Sequence, residues 1–512
     1  MSAAAGAGPG ADTPAPLPTG ARVMVTLSLA LAVFMNVLDI SIANVSIPTI
    51  AGNLAVSSSQ GTWVITSFAV ANAIAVPVSG WLARRVGEVK LFVICTALFT
   101  MASFACGIAP SFYFLLAMRA LQGLVAGPMI PLSQSLLLAN YPPEKRGFAN
   151  GIWGMTAVVG PIAGPILGGW ITDNISWSWI FYINVPVGIF SALVTWTVLR
   201  ERETETAKLS LDVVGLVLLT IGVGALQIML DKGNEDGWFQ SPMITTLAVV
   251  ATVFLSFWIV WELTDDNPVV DLRLFARRNF TVATLGVTFG FMTYFAGVVL
   301  LPLWLQNVQG YTPTWAGITT ASLGVLGVIF SPIVGRLTDK IDLRLIVTFG
   351  MLLFAVLSFV KADANTDISF QRLFLTRLPW GIGLACFFIP LITLSLTGLP
   401  RDKIASASGL FNFMRLIALA IGTSLSQTLW DRREAFHDHV LSSHTALADP
   451  ATVHWLAQAR AAGVSQDQAY GAMAGVIKQQ SFMLGLNEMY TLAGWVFLGL
   501  TVLIWFSRPN AP

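Results

Sequence analysis

The sequence predicts an all-α membrane protein: two six-helix halves with a helix pair inserted between them, fourteen transmembrane spans in all, and both termini cytoplasmic. Three observations carry this reading. Of 512 residues, 55% are hydrophobic and only 11% charged, a balance that would leave too much apolar surface in water for a soluble fold of this size. The basic residues gather at alternate ends of the apolar runs. The chain also repeats itself, with "SGWLARRVGEVKL" (Ser79 to Leu91) echoed by "VGRLTDKIDLRL" (Val334 to Leu345) and "RALQG" (Arg119 to Gly123) by "RLPWG" (Arg377 to Gly381).

Residues 1–20, "MSAAAGAGPGADTPAPLPTG", are rich in Ala, Gly and Pro. They lack the basic start of a signal peptide and read as a disordered cytoplasmic tail. A spanning helix needs about 20 mostly apolar residues. Runs of that kind centre near residues 34, 71, 99, 125, 159 and 190 in the first half (21–200), and near 221 and 252 in the inserted pair (212–262). In the second half (280–507) they centre near 291, 324, 351, 385, 417 and 497.

Charge placement supports the order. Arg84, Arg85, Lys90, Lys145, Arg146, Arg200, Arg202, Lys208, Arg273, Arg277, Arg278, Arg336, Lys340, Arg344, Arg401, Lys403 and Arg508 all fall at the ends a cytoplasmic N-terminus places inside, which is the positive-inside pattern. A parallel repeat of this sort is a common transporter plan, with the ligand path between two halves that rock about it. The inserted pair has no counterpart in either half and is expected to lie at the periphery of that path.

One outward loop, residues 430–483, is polar and holds all four histidines: His437, His439, His444 and His454. Two short capped helices are predicted in it, the second opening on a Ser465/Gln468 capping box. No cysteine joins the histidines and their spacing matches no standard metal site, so they read as solvated loop residues and no metal is expected. The three cysteines (Cys95, Cys106, Cys386) lie in apolar runs and read as small core residues. A net charge of +1 suggests no nucleic-acid partner.

Asp39 is the one acidic side chain deep within a span; Glu488 sits near the outer end of the last. A carboxylate at mid-membrane costs about 3 kcal/mol on insertion scales and is by default functional or paired. Arg119, Arg377 and Arg415 are the basic residues within spans. Asp39 precedes Pro48 by nine residues and Arg119 follows Phe112 by seven, so they lie roughly 13 and 10 Å from the outer edge, and a meeting is expected. Such a pair either loads and releases a proton as its surroundings change or locks spans 1 and 4 as a static bridge. Asn36, one helical turn before Asp39, shares its face and is placed to hydrogen-bond the neutral acid. Asn36, Asn72, Gln122, Tyr294, Phe387, Asn412 and Arg415 are candidate lining residues for a mostly apolar path. In span 5, "GPIAGPILGGW" brings Gly160, Gly164, Gly168 and Gly169 together with Pro161 and Pro165, a pattern for close helix packing with a bend.

Together "LDISIANVSIP", "GWLARRVGEVK", "RALQG" and the Gly160-to-Gly169 pattern resemble the motifs of the major facilitator superfamily's drug:proton antiporters, fourteen-span branch, in that family's order and on its spans. The resemblance implies proton-driven export of lipophilic drug-like molecules from the inner membrane, without a cofactor. It also implies partnership with a periplasmic adaptor and an outer-membrane channel, for which the 430–483 loop is the candidate contact. It places the proton-coupling role on Asp39 and Arg119, the antiporter motif on Gly160, Gly164, Pro165, Gly168 and Gly169, and cytoplasmic gating on Gly80, Arg84, Arg85, Gly87, Gly335 and Asp339. The family has an acid where this chain has Arg84, which puts a first-half latch in doubt; the second copy keeps Asp339. A uniporter or symporter on the same fold is the alternative. A lipid-modifying membrane enzyme is the alternative of another class, but no cluster of acid, base and nucleophile appears in the short connections. An ATP-driven pump would need a GxxxxGK[ST] segment, which the chain lacks.

Overall fold

The computed structural model describes residues 17–509 except 208, 209, 211, 267, 444 and 446–448. Most of the expected tail, Lys208 and His444 therefore lie outside the described residues, as does the side chain of Pro161. Regular structure among the described residues is helical throughout.

The first half comprises α1 (Thr19–Ile42), α2 (Trp63–Val86), α3 (Glu88–Gly107), α4 (Phe112–Ala139), α5 (Arg146–Asn174) and α6 (Asn184–Leu199). The inserted pair is α7 (Val213–Lys232) and α8 (Pro242–Thr264). The second half comprises α9 (Arg278–Asn307), α10 (Pro313–Leu337), α11 (Leu343–Ala362), α12 (Phe370–Leu396), α13 (Arg401–Ser443) and α15 (Gln466–Ile504), with the short α14 (Pro450–Ala461) outside. Thirteen helical segments among the described residues are long and apolar enough to cross a membrane; α5, 29 residues long, occupies the remaining place in the order. Local chemistry sets the ends. Ser111, Asp212, Thr312, Ser369 and Ser465 each accept a backbone N–H at a helix start, as helix N-termini require. Gly87 ends α2 at φ +98°, where an L side chain would be strained.

Packing repeats the duplication helix for helix. In the first half α1 packs on α5 and α6, α2 on α4, and α3 on α4 and α6. In the second, α9 packs on α13 and α15, α10 on α12, and α11 on α12 and α15. The halves join along α5 with α10 and α2 with α13. These seams are closest on the cytoplasmic side, where small residues let backbones touch. A Cβ on Gly80 would stand 2.5 Å from Ser406 Cα, and one on Gly335 2.5 Å from Gly147 O. Polar bonds cross there too: Gly147 N–H donates to Asp339 Oδ1 (3.0 Å), and Asn150 Nδ2 to Thr393 Oγ1 (3.1 Å). Burial holds the Asp339 carboxyl above its ordinary value, opposed by the N–H groups of Gly147 and Phe148. In the first half the Glu203 carboxylate takes up the Val89 and Lys90 N–H groups (2.9 and 2.8 Å) and lies against Gly87. The Arg84 carbonyl accepts Ala207 N–H, and Arg85 lies over Trp81.

Two expectations are corrected. The inserted pair is not wholly peripheral. α8 faces outward, but the outer end of α7 bridges both halves: Lys232 Nζ donates to Thr62 (3.3 Å), Asn234 Nδ2 to Asp431 (2.9 Å), and Ser424 Oγ to the Leu230 carbonyl (2.7 Å). The 430–483 segment is largely a continuation of two spans and not a polar loop: the first expected short helix is present as α14, but the second is the start of α15. "WDRREAFHDHVLSS" contains no Gly or Pro to stop α13, and the helix begun by the Ser465/Gln468 capping box runs without a break into the last span. His437 is correspondingly not a solvated loop residue; its Nε2 is 3.1 Å from Glu488 Oε1, which also pairs with Arg433. Among the described residues no His, Cys, Asp and Glu cluster could hold a metal.

Candidate functional site

The deepest charges are brought together. Asp39 and Arg119 have no exposed surface, and Arg119 Nη1 donates directly to Asp39 Oδ2. Asp39 Oδ1 accepts from Gln122 Nε2 (3.1 Å) and Asn184 Nδ2 (3.0 Å). Gln122, one turn after Arg119, also accepts from Arg119 Nη1 (2.8 Å), while Arg119 Nε donates to the Val64 carbonyl (3.0 Å). Asn184 is shared with Ser103 Oγ (3.0 Å). The carboxylate thus has three donors, as a buried charge requires, while Arg119 Nη2 has no partner. Asn36 does not join them; its Nδ2 donates to the Ala126 carbonyl (2.8 Å).

The glycine pattern of α5 clasps the turn that carries Asp39. A Cβ on Gly160 would lie 2.5 Å from Val37, and one on Gly164 would overlap Ser41 Oγ at 2.0 Å. Val37 and Ser41 flank Asp39 on either side. Ser41 Oγ also donates to the Gly160 carbonyl (3.2 Å), one of the close contacts that small residues permit between membrane helices. Gly168 is buried, whereas Gly169 has open space at its Cβ position. α5 stays one continuous helix through the motif.

Beside this cluster lies a central cavity of about 550 Å³, within the range of small-molecule sites. Its lining includes Val37, Phe68, Asn72, Pro165, Tyr294, Phe388, Arg377 and Arg415, and continues outward to Asn44, Thr62, Lys232, Asn234 and Glu235. The cavity therefore faces outward while the cytoplasmic seams are closed. Asn72, Tyr294 and Arg415 line it; Asn36, Gln122, Phe387 and Asn412 do not. Gln122 serves Asp39 instead, Asn412 Oδ1 accepts Arg415 Nε (3.2 Å), and Phe387 packs on Phe291 and Phe354. Asp39 and Arg119 lie behind the wall. Phe68 touches both: it is among the lining residues, and its ring centroid lies 4.4 Å from the Arg119 guanidinium carbon.

Sequence reasoning missed Asn184, Lys361 and the cavity-lining end of α7. Asn184 and Lys361 sit near span ends, where a polar residue ordinarily reads as interfacial; an amide within "FYINVP" was the available signal for the first. Asp231 lines the cavity, bonded to Gln227 Nε2 (3.1 Å).

The profile of the Major Facilitator Superfamily matches residues 29–423. The multidrug export protein EmrB of Haemophilus influenzae is 51% identical over 477 residues, 93% of this chain and 94% of that one. The fatty acid resistance protein FarB of Neisseria gonorrhoeae is 48% identical over 93% of this chain and 94% of its own. Among solved structures, the human organic anion transporter MFSD10 (TETRAN) superposes with a TM-score of 0.59 at 13% identity, covering 95% of this chain and all of the other; that likeness is one of fold.

Proposed function

This chain belongs to the Major Facilitator Superfamily as a multi-pass inner-membrane transporter, and from that premise we propose that it exports lipophilic small molecules in exchange for protons by alternating access, with Asp39 as the proton site. The observation that carries the reading is the position of Asp39. It is fully buried, held by Arg119, Gln122 and Asn184, and set in the one turn of α1 that the α5 glycines grip. Because α5 also packs on α10 across the seam between the halves, rocking of the halves is transmitted to that turn. The apolar cavity supports loosely held lipophilic cargo, as do the names of the EmrB and FarB relatives.

The energetics are sufficient. A potential of 100 mV is worth about 2.3 kcal/mol per charge, and about 1.4 kcal/mol is a factor of ten. One proton exchanged for one neutral molecule therefore sustains a gradient on the order of fiftyfold. Catalytic chemistry has no part in this reading. Partners on the outer side are a periplasmic adaptor of the EmrA type and an outer-membrane channel of the TolC type, with the 430–483 segment as the contact. α13 is 43 residues long, about 64 Å, roughly twice what a span needs, and it is braced against α15 by Arg433 and Glu488.

The test is flux in proteoliposomes under an imposed pH gradient. Asp39→Asn is expected to abolish drug-coupled proton movement; undiminished coupling would remove Asp39 from the mechanism.

A further inference from the structure

We propose that Arg377 and Arg415 form an anion-binding subsite on the second-half wall of the cavity, which takes the carboxylate of an amphiphilic cargo whose apolar body lies on Phe291, Phe295 and Phe388. This inference rests on the export reading and names a cargo class for it.

The argument begins with the duplication. Arg377 repeats Arg119 at an interval of 258 residues, but the residue 255 beyond Asp39 is Tyr294. The second half has kept the buried cation and lost the acid. Arg377 and Arg415 line the cavity at 2% and 8% exposure, and among the described residues neither has a carboxylate within ion-pair distance. Arg377 Nε donates to the Thr320 carbonyl at 3.4 Å and Arg415 Nε to Asn412 Oδ1 at 3.2 Å. A guanidinium has five N–H donors, so most of their capacity is unused. An arginine buried at membrane depth without a carboxylate partner is costly and marks a substrate or ion path.

The two lie at one depth. Arg377 is seven residues from the outer start of α12 and Arg415 fourteen from the cytoplasmic start of α13, each about 10 Å from the outer edge of a 30 Å core. The Arg415 guanidinium stands 5.6 and 5.7 Å from the Phe291 and Phe388 ring centroids. Cation and apolar wall are therefore adjacent, as a head-and-tail molecule requires.

Lys361 lies near Arg377. It is buried, its Nζ lies 4.4 Å from the Trp380 centroid and 5.3 Å from that of Tyr490, and it has no hydrogen-bond partner. Trp380 Nε1 and the Tyr490 hydroxyl are unpartnered as well; Tyr490 stands beside Arg377 without reaching hydrogen-bond geometry. The remaining charges facing the cavity, Asp231, Lys232 and Glu235, sit at its mouth on and just beyond α7. Lys232 pairs with Glu235 at 2.8 Å, and Asp231 is held by Gln227. A carboxylate can satisfy a guanidinium with two parallel bonds, which a neutral ester cannot do.

The experiment is equilibrium binding to the full-length protein in nanodiscs, without any gradient, using a dansyl-labelled long-chain carboxylic acid and its methyl ester. The acid is expected to bind at least tenfold more tightly. Arg377→Gln and Arg415→Gln should each weaken the acid at least tenfold and leave the ester unchanged, with part of the preference restored in Arg415→Lys. Equal affinity for acid and ester in the wild type overturns the proposal, as does equal loss of both ligands in folded glutamine variants. If those variants do not fold, competition on the wild type decides: displacement of the labelled acid by decanoate and not by decanol supports the subsite, and equal displacement by both refutes it. No step here needs proton coupling, so failure of the Asp39 reading shows only in the flux assay and failure of the subsite only in binding.

Discussion

The Asp39 carboxylate meets the Arg119 guanidinium behind the cavity wall and not within it. Cavity and ion pair are therefore neighbours separated by side chains, Phe68 among them, and any exchange between them passes through movement of that wall.

Removing one partner of this pair leaves the other charge buried alone, at a cost of about 3–5 kcal/mol, whereas removing both is far milder. Arg119→Gln and Asp39→Asn are each expected to lower thermal stability in detergent, and the double variant to recover much of the loss. All three should lose proton-coupled transport. Arg119→Ala should abolish transport and change the pH optimum of any residual activity. Melting curves and proteoliposome flux measured side by side separate the structural part of the pair from the coupling part; an unchanged optimum favours a static bridge.

Phe68 carries both the cavity face and the stacked Arg119. Phe68→Ala should open a water path to Asp39, giving proton leak in the absence of cargo, whereas Phe68→Leu keeps an apolar wall and leaks less. Acidification of pyranine-loaded vesicles without drug reads this directly, and equal tightness of both variants refutes it.

Gly160 and Gly169 make a controlled contrast within one motif. A methyl at 160 meets the stiff, β-branched Val37, while one at 169 meets nothing. Gly160→Ala should cost about 1–3 kcal/mol as overpacking and slow transport. Gly169→Ala should change stability by less than about 0.5 kcal/mol. Thermal unfolding of the two variants is the check.

The cytoplasmic seam should respond to pH through Asp339. With the seam closed, burial holds this carboxyl above its ordinary value; exposed to water it would return to about 3.9. A group with the higher proton affinity in the closed state supports closure fully below that ordinary value, and the support is lost as pH rises through the raised one. Closure should therefore weaken across the acidic range just above pH 4, and Asp339→Asn should remove that slope. Distance measurements between spin labels on the cytoplasmic ends of α5 and α10 report it; the same slope in both proteins sinks the idea.

Much of the fold was legible because the bilayer imposes one-dimensional rules: span length, charge sidedness and an echo at fixed interval. Asp39 and Arg119 were found together because depth follows from residue count along a helix. Rotation about each helix axis is not fixed by such counts, so Asn36 turned to α4 while Gln122 and Asn184 turned to Asp39. The path was partly misread for the same reason: Phe388 lines the cavity and Phe387 does not. Polarity alone marks the outer end of α13 as loop although it holds no Gly or Pro, and the capping box at Ser465 sets where the last helix begins but not that it continues into the span.

By itself the sequence determined the membrane class, the two duplicated halves, the family resemblance and the identity of the buried charges. These depend on composition, spacing and the cost of charge in lipid. The tertiary structure alone decided that Asp39 lies behind the cavity wall beside Phe68, that α7 reaches the cavity mouth, and that Arg377 and Arg415 line one chamber whose acids, Asp231 and Glu235, sit at its mouth. Those facts depend on which faces of helices far apart in sequence are turned toward one another, a matter settled by packing among all of them together.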